Sequence, residues 1–250
     1  RMTCLRTMST ELIHDLLGYD GIKIIQRPDM FCFSLDSILL ADFIQANAKT
    51  KKIIDLGTGN GPIPLFLTLK TKAHIYGIEI QPEVYDLAKR SVELNNLSHQ
   101  ITIINDDIKN VFNHFEPNTF DIVCSNPPYF RYLPTSNINK NDFLTIARHE
   151  VKITLSEVIE VASKLLHSGG SFFLVHRSER LQEIFLELKK NKLEAKSLRF
   201  IYQKTDSTES DMILIKATKG AKLGLKVMKP LYVYHQHEYT EEILKIFNFK

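Results

Sequence analysis

The stretch Ile53-Ile54-Asp55-Leu56-Gly57-Thr58-Gly59-Asn60-Gly61-Pro62-Ile63-Pro64 restricts the folds open to this chain more than any other. A short apolar strand runs into a loop with glycine at alternate positions, and a helical pattern follows. Glycine permits positive φ and lets a ligand approach the backbone closely. Prolines are tolerated in the first turn of the helix. This is the opening of a nucleotide-binding βαβ unit. It is not the dinucleotide form, because a G-x-G-x-x-G fingerprint begun at Gly57 requires glycine where this chain has Pro62. A nicotinamide dehydrogenase is disfavoured on that ground.

The next apolar run, His74-Ile75-Tyr76-Gly77-Ile78-Glu79-Ile80, ends in an acid about 20 residues beyond the loop, where a carboxylate can bind both hydroxyls of a ribose. A third run, Ile101-Thr102-Ile103-Ile104, leads into Asn105-Asp106-Asp107-Ile108. An acid there can accept a hydrogen bond from an adenine amino group or cap the turn that follows. Ligands of open α/β sheets bind outside the carboxyl ends of the strands, so all these features converge on one crevice.

A fourth run, Asp121-Ile122-Val123-Cys124-Ser125, stops at Asn126-Pro127-Pro128-Tyr129. Two prolines have no N–H to continue a central ladder. Asn126 and Tyr129 therefore stand at the carboxyl end of a buried strand. The Asn126 side-chain oxygen and the Pro127 carbonyl are two acceptors side by side, matched to an –NH2 group with two hydrogens. Tyr129 offers a flat face to a planar group. Taken alone, the stretch is equally a strand-to-loop stop.

Together, Asp55-Leu56-Gly57-Thr58-Gly59-Asn60-Gly61, Glu79 and Asn126-Pro127-Pro128-Tyr129 resemble the S-adenosylmethionine-dependent amino-methyltransferases. The chain is most similar to the bacterial enzymes that methylate N6 of an adenine in the anticodon loop of a valine tRNA. The resemblance spans roughly residues 20–235, with softer support from Phe33-Ser34-Leu35-Asp36-Ser37-Ile38-Leu39-Leu40 and Ala147-Arg148-His149-Glu150. It implies a Rossmann-like class I methyltransferase of the α/β class. The expected sheet has seven strands, mostly parallel with one antiparallel, and carries a small N-terminal strand and helix segment. It implies S-adenosyl-L-methionine as cofactor, held by Asp55, Gly57, Thr58, Gly59, Gly61, Glu79, Ile80, Asp107, Ile108 and Asn126. Phe33, Ser34 and Asp36 close over its methionine end, the alternative being that this segment is only a helix covering one end of the sheet. Asn126, Pro127, Pro128 and Tyr129 form the catalytic clamp, and Asp107 fits the acid-then-aliphatic pattern better than Asp106.

The expected partner is RNA, with tRNA foremost. Net charge is only +3, so any nucleic-acid surface is a local patch. Arg131, Arg148, His149, Lys219, Lys222 and Lys226 are its candidates. Arg148 and His149 are equally solvated helix residues, and the tail lysines are equally a charged edge that deters sheet aggregation. The polar segment from Phe130 to Glu150 is placed to serve as a substrate lid. The three cysteines, Cys4, Cys32 and Cys124, are widely spaced with no C-x-x-C, which fits reduced thiols in the cytoplasm. No metal site, signal peptide or membrane span is expected, and a monomer is favoured.

Three segments are expected: an N-terminal cap over 1–48, the methyltransferase domain over 49–235 and a C-terminal helix or tail over 236–250. The spacing predicts a short helix from Thr10 to Leu17, an edge strand over Ile22–Gln26 and a helix from Leu35 to Ala46. It also predicts an amphipathic helix over Thr154–His167 ended by Gly169-Gly170, and a helix from Ser178 to Lys190. The sixth and seventh strands, around Leu198–Tyr202 and Asp211–Ala217, have no helix between them and so are antiparallel.

The same core serves enzymes acting on a release-factor glutamine, a ribosomal RNA base or DNA adenine. An amide NH2 fits the clamp as well as an adenine amine does. Only about 50 residues precede the glycine loop, which is short for the helical N-terminal domain of the glutamine enzymes, and there is no room for a DNA target-recognition region. From another class, a catalytically silent cofactor-binding RNA adaptor shares the loop but has no need of an intact clamp.

Overall fold

The described residues, 11–30, 34–129 and 153–249 of a computed structural model, begin with a hairpin. Strands β1 (Leu12–Leu16) and β2 (Tyr19–Gln26) pair antiparallel, Leu12 opposite Gln26, around a turn in which Leu17 takes a φ of 57°. The helix expected from Thr10 to Leu17 is therefore corrected to a strand. A segment this short cannot sustain a helix alone, and pairing with β2 satisfies its backbone instead. Phe33, Cys4, Cys32, Arg131, Arg148 and His149 lie outside the described residues, as does the whole of the expected lid, Phe130 to Glu150.

Helix α1 (Leu35–Phe43) is followed by β3 (Lys52–Leu56), α2 (Pro62–Leu67) and β4 (His74–Glu79). Next come α3 (Pro82–Leu94), β5 (Ile101–Asn105) and β6 (Phe120–Ser125). Then follow α4 (Leu155–Leu165), β7 (Leu166–Arg177), α5 (Leu181–Lys190), β8 (Leu193–Lys204) and β9 (Met212–Lys219). These strands lie in the order β5-β4-β3-β6-β7-β9-β8. All are parallel except β9, which runs antiparallel to both neighbours.

The tail enlarges this expected sheet. Strands β10 (Lys226–Val227) and β11 (Leu231–His235) both pair in parallel with the outer edge of β8, and β12 (Glu238–Tyr239) folds back on β11. The described sheet thus has ten strands rather than seven. The reason is the free ladder edge of β8, which a segment alternating buried Leu231 and Val233 with half-buried Tyr232 and Tyr234 is able to satisfy.

The three expected segments share a core. One layer joins Leu16 and Ile24 of the hairpin, Ile38 and Leu40 of α1, Ile53 and Phe173 of the sheet, and Ile243 and Phe247 of the last helix, α6 (Glu241–Phe247). The other face packs Leu56, Val123 and Leu174 against Val158 and Leu165 of α4 and Ile184 of α5. Among the described residues no helix is long and apolar enough to cross a membrane.

Helix α4 starts with a capping box, the Thr154 hydroxyl and the Glu157 carboxylate each serving the other's backbone N–H. It does not end at Gly169-Gly170. Its last carbonyls are met from elsewhere: Ser163 and Leu166 by Lys219 Nζ at 2.6 and 2.8 Å, Lys164 and Leu165 by the backbone N–H groups of Asn118 and Thr119, both at 2.9 Å. With its C-terminus satisfied, the chain enters β7 at once. Gly169 and Gly170 fall instead where the β6–β7 register slips between Phe120 and Ile122.

The hairpin is held by side chains that imitate a strand. Asn95 at the end of α3 accepts from Lys23 N at 2.7 Å and donates to Lys23 O at 2.6 Å. Ile25 N donates to Ser91 Oγ at 3.0 Å, and Asn60 Nδ2 donates to Ile25 O at 3.1 Å. Replacing Asn95 by alanine removes two of these bonds and leaves half-buried backbone groups unpaired. The expected outcome is a loss of about 1–3 kcal/mol in urea unfolding; a loss under about 0.5 kcal/mol contradicts this account of the docking.

Candidate active site

The carboxyl ends of β3, β4, β5 and β6 open onto one cavity. Its lining includes Gly57, Thr58 and Gly59 after β3, Glu79, Ile80 and Gln81 after β4, Asp107 and Ile108 after β5, and Ser125 through Pro128 after β6. The sheet order places β3 beside β6, with the chain passing from β3 to β4 on one side and from β6 to β7 on the other, a switch point of the kind that binds nucleotides.

Gly57, Gly59 and Gly61 all have positive φ, at 78°, 58° and 88°, and Gly61 leads directly into α2. The loop is held by Glu79. Its Oε2 accepts from Gly59 N at 3.0 Å, and its Oε1 accepts from Gln81 N at 2.9 Å. The acid read from sequence as a ribose ligand thus also braces the loop, and each oxygen keeps a lone pair for a ligand hydroxyl. Burial raises the pKa of Glu79, opposed by these backbone hydrogen bonds.

Asp55 does not line the cavity. It is fully buried at the end of β3, with Cys124 Sγ donating to its Oδ1 at 3.7 Å. Burial pushes its pKa up to about 7, opposed by the Thr58 hydroxyl and the Cys124 thiol and reinforced by the charge of Glu79. Among the described residues, none of the groups acting on Asp55 or Glu79 is cationic. Among the described residues, Asp55 Oδ2, Thr58 Oγ1 and Gln81 Oε1 are buried without a partner at hydrogen-bond geometry, so the Thr58 hydroxyl acts on Asp55 from outside that geometry. Orphaned polar atoms beneath a cavity that already holds two acids fit a ligand with hydroxyls and positive charge. S-adenosylmethionine, with its ribose, ammonium and sulfonium, meets that description.

Asp107 and Asp106 divide their work. Asp107 lines the cavity and caps the 3-10 turn Ile108–Asn113 by accepting from Lys109 N at 2.9 Å. The capping reading is met, by a carboxylate that also stands on the cavity wall. Asp106 turns away to Asn110 Nδ2 at 2.9 Å and His114 Nε2 at 2.7 Å. Ile80 and Ile108 supply apolar wall.

At the mouth, Asn126 donates through Nδ2 to Ser37 Oγ at 2.9 Å, which sets the direction of its amide. Its Oδ1 lies 2.5 Å from the Tyr129 hydroxyl, and the same hydroxyl lies 2.9 Å from Asp36 Oδ2. Tyr129 does not line the cavity. Its ring is edge-on to His176, with centroids 5.3 Å apart, and its carbonyl accepts from Arg180 Nη1 at 3.2 Å. Asp36 does not reach the cavity either; its neighbour Ser37 does.

Sequence reasoning missed Ser37, Gln81 and Gly77. Gln81 was open to discovery, since it follows Glu79 at the same strand end. Gly77 is required because a Cβ there lies 2.9 Å from Thr58 Oγ1 and Cγ2, so only glycine lets the loop pack down on β4. Ser37 needed the fold, because 89 residues separate it from Asn126.

The tail lysines do not join this site. Lys219 pairs with Leu193 at the start of β8, and Thr218 pairs with Ser171, before the point on β7 where Leu174 meets Ser125, so Lys219 sits toward the opposite end of the sheet. Its ammonium is spent on Asn118 Oδ1 and the α4 carbonyls. Lys226 lies beside Ser197 near the start of β8, and the Lys222 carbonyl accepts from Lys196 Nζ at 2.9 Å.

The family model described as the methyltransferase small domain matches residues 21–200. A Porphyromonas gingivalis protein named tRNA1(Val) (adenine(37)-N6)-methyltransferase is 29% identical over 179 residues, covering 69% of each chain. A Methanocaldococcus jannaschii protein provisionally named as a protein N5-glutamine methyltransferase is 33% identical over 129 residues, covering 51% of this chain and 59% of its own. Among solved structures, an Agrobacterium tumefaciens protein described as a predicted O-methyltransferase aligns with a TM-score of 0.68 at 22% identity, covering 86% of this chain and 96% of that one.

Two outcomes follow from this geometry. Asp55 keeps its proton in the folded chain up to about pH 7, while the unfolded chain releases it near 3.8. The contribution of Asp55 to stability is therefore fully present below its unfolded pKa and is lost as pH rises toward 7. Asp55→Asn is expected to flatten that part of the melting-temperature profile of the ligand-free protein; an unchanged slope refutes the assignment. Lys219→Met is expected to cost about 1–2 kcal/mol through the uncapped α4 carbonyls. The salt dependence of RNA binding should stay as in wild type, and a shallower slope would return Lys219 to the RNA surface.

Proposed function

The chain belongs to the methyltransferase small-domain family and is an S-adenosylmethionine-dependent methyltransferase; on that premise we propose that it methylates the exocyclic N6 amine of an adenine in tRNA, in the anticodon loop of a valine tRNA. The observation that carries this reading is the position of Asn126 and Pro127 on the wall of the cavity that holds Gly59, Glu79 and Asp107. The relatives named as tRNA1(Val) adenine-N6 methyltransferases favour adenine as the owner of the amine.

Bound S-adenosylmethionine supplies an electrophilic methyl group on a sulfonium. The backbone of Gly57, Thr58 and Gly59 would lie against it, Glu79 would take the ribose hydroxyls, and Asp107 with Ile80 and Ile108 would hold the adenine. The positive charge of the cofactor would lower the pKa of both buried acids and release the proton of Asp55, so that Asp55 and Glu79 as carboxylates would counter that charge. The acceptor amine is a poor nucleophile because its lone pair is delocalised into the ring. Hydrogen bonds from it to Asn126 Oδ1 and the Pro127 carbonyl localise that lone pair and stabilise positive charge developing on nitrogen. Fixed dipoles of this kind contribute several kcal/mol in a dry site. Pro128 stiffens the strand end, and Tyr129 supplies a ring for the base to meet once its hydroxyl is released from Asn126. A base in a loop is splayed into such a pocket at lower cost than one in a helix.

A second reading has its own support in the relative named for glutamine methyl transfer, since an amide NH2 fits the same two acceptors. Transfer of labelled methyl from S-adenosylmethionine to unmodified total tRNA, with digestion to nucleosides, separates the two. N6-methyladenosine in valine tRNA is the expected product. Label in a release factor or ribosomal RNA instead would keep the chemistry and replace the substrate, and binding of cofactor with no transfer to any acceptor would leave a silent adaptor. Asn126→Ala is expected to cut transfer about 100-fold with cofactor binding little changed; near-normal turnover would sink the clamp.

A further inference from the structure

The first turn of α1 supports the clamp from behind. Ser37 Oγ accepts from Asn126 Nδ2 at 2.9 Å, and Asp36 Oδ2 stands 2.9 Å from the Tyr129 hydroxyl. That hydroxyl has one proton and two acceptors, because Asn126 Oδ1 is also 2.5 Å away. The two acceptors compete. While Asn126 Oδ1 holds the proton, one of its lone pairs is taken and the tyrosine hydroxyl occupies that side of the oxygen. The oxygen meant to receive an acceptor amine is then partly occupied by the protein itself. When Asp36 holds the proton, Asn126 Oδ1 regains both lone pairs and the tyrosine is free to move off it.

We infer that Asp36 is a positioning residue that draws the Tyr129 hydroxyl away from Asn126 and so opens the clamp to the acceptor amine. This rests on the reading that Asn126 receives that amine. It differs from the expectation that Asp36 touches the cofactor, since Asp36 does not line the cavity. The surroundings allow the transfer. Burial raises the pKa of Asp36, while the Tyr129 and Ser34 hydroxyls and the charge of Arg177 lower it. Arg180 holds the Tyr129 carbonyl, and His176 meets the ring edge-on. The ring is thus anchored at its backbone while its hydroxyl has a choice. Asparagine at 36 can donate to the tyrosine oxygen, which leaves the tyrosine proton on Asn126 and the clamp capped.

The test is a double-mutant cycle of Asp36→Asn and Tyr129→Phe, read as kcat for methyl transfer together with the affinity for S-adenosylmethionine. Asp36→Asn is expected to lower kcat about tenfold with cofactor affinity within about twofold of wild type. In the Tyr129→Phe background, where no hydroxyl is left to redirect, Asp36→Asn should change kcat by less than about twofold. Equal losses in both backgrounds, or a loss of cofactor affinity that accounts for the rate, would overturn the inference. A second readout needs no turnover. In protein labelled at tyrosine Cζ, the Tyr129 resonance, assigned by its disappearance in Tyr129→Phe, should shift in Asp36→Asn. An unmoved resonance overturns the contact even in a protein that methylates nothing. Wild-type protein inert toward every acceptor would instead defeat the reading of Asn126 as the amine clamp and leave the resonance to judge Asp36.

Discussion

The site depends on a buried carboxylate that works for the backbone before it works for any ligand. Glu79 takes the N–H of Gly59 with one oxygen and that of Gln81 with the other, so the turns after β3 and β4 are tied to one side chain. A glycine loop is by nature permissive, and without such a tie its amides would sample many orientations. Glu79 can do this only because β3 and β4 are adjacent and parallel, with Asp55 beside Gly77 and Leu56 beside Ile78. Gly77 lacks a side chain, and Thr58 occupies the space that one would fill.

The second organising element is a pair of buried acids with no cation acting on them among the described residues. Asp55 and Glu79 are both buried, and the groups around them are amides, a hydroxyl and a thiol. A ligand-free pocket of this kind is electrostatically unfinished, and a cationic ligand completes it. The opposite end of the sheet is finished. There Lys219 closes the carbonyls of α4, and Asp121 accepts from the N–H groups of Lys51 and Lys52 and pairs with His167. One end of the sheet is built for stability and the other holds its polar atoms in reserve.

The legible part of the protein was its repeating part. Each parallel strand is a continuous apolar run that ends in a polar or breaking residue, so the strands, their carboxyl ends and the residues standing there could be read directly. Asp107 was separable from Asp106 by pattern, and the structure turns only Asp107 to the cavity. The failures have specific causes. Residues 12–16 pair with a partner strand where a helix was expected, because local propensity in five residues is weak against a ladder. The lysines of the tail look alike in sequence, yet the ammonium of Lys219 is consumed by helix carbonyls. The tail strands were hidden because only the bare edge of β8 gives Leu231–His235 something to pair with.

Sequence alone determined the order of the chemistry: a glycine loop after the first sheet strand, acids after the second and third, and paired acceptors after the fourth. Those features are carried by residue type and spacing, which the chain states locally. Tertiary structure decided what each group faces. It set Ser37 under the Asn126 amide, Asp36 against Tyr129 and Asn95 along the open edge of the hairpin, across separations of 89, 93 and 72 residues. Hydrogen-bond partners so distant in sequence leave no periodic trace, because their meeting follows from the packing of α1 and the hairpin on the sheet.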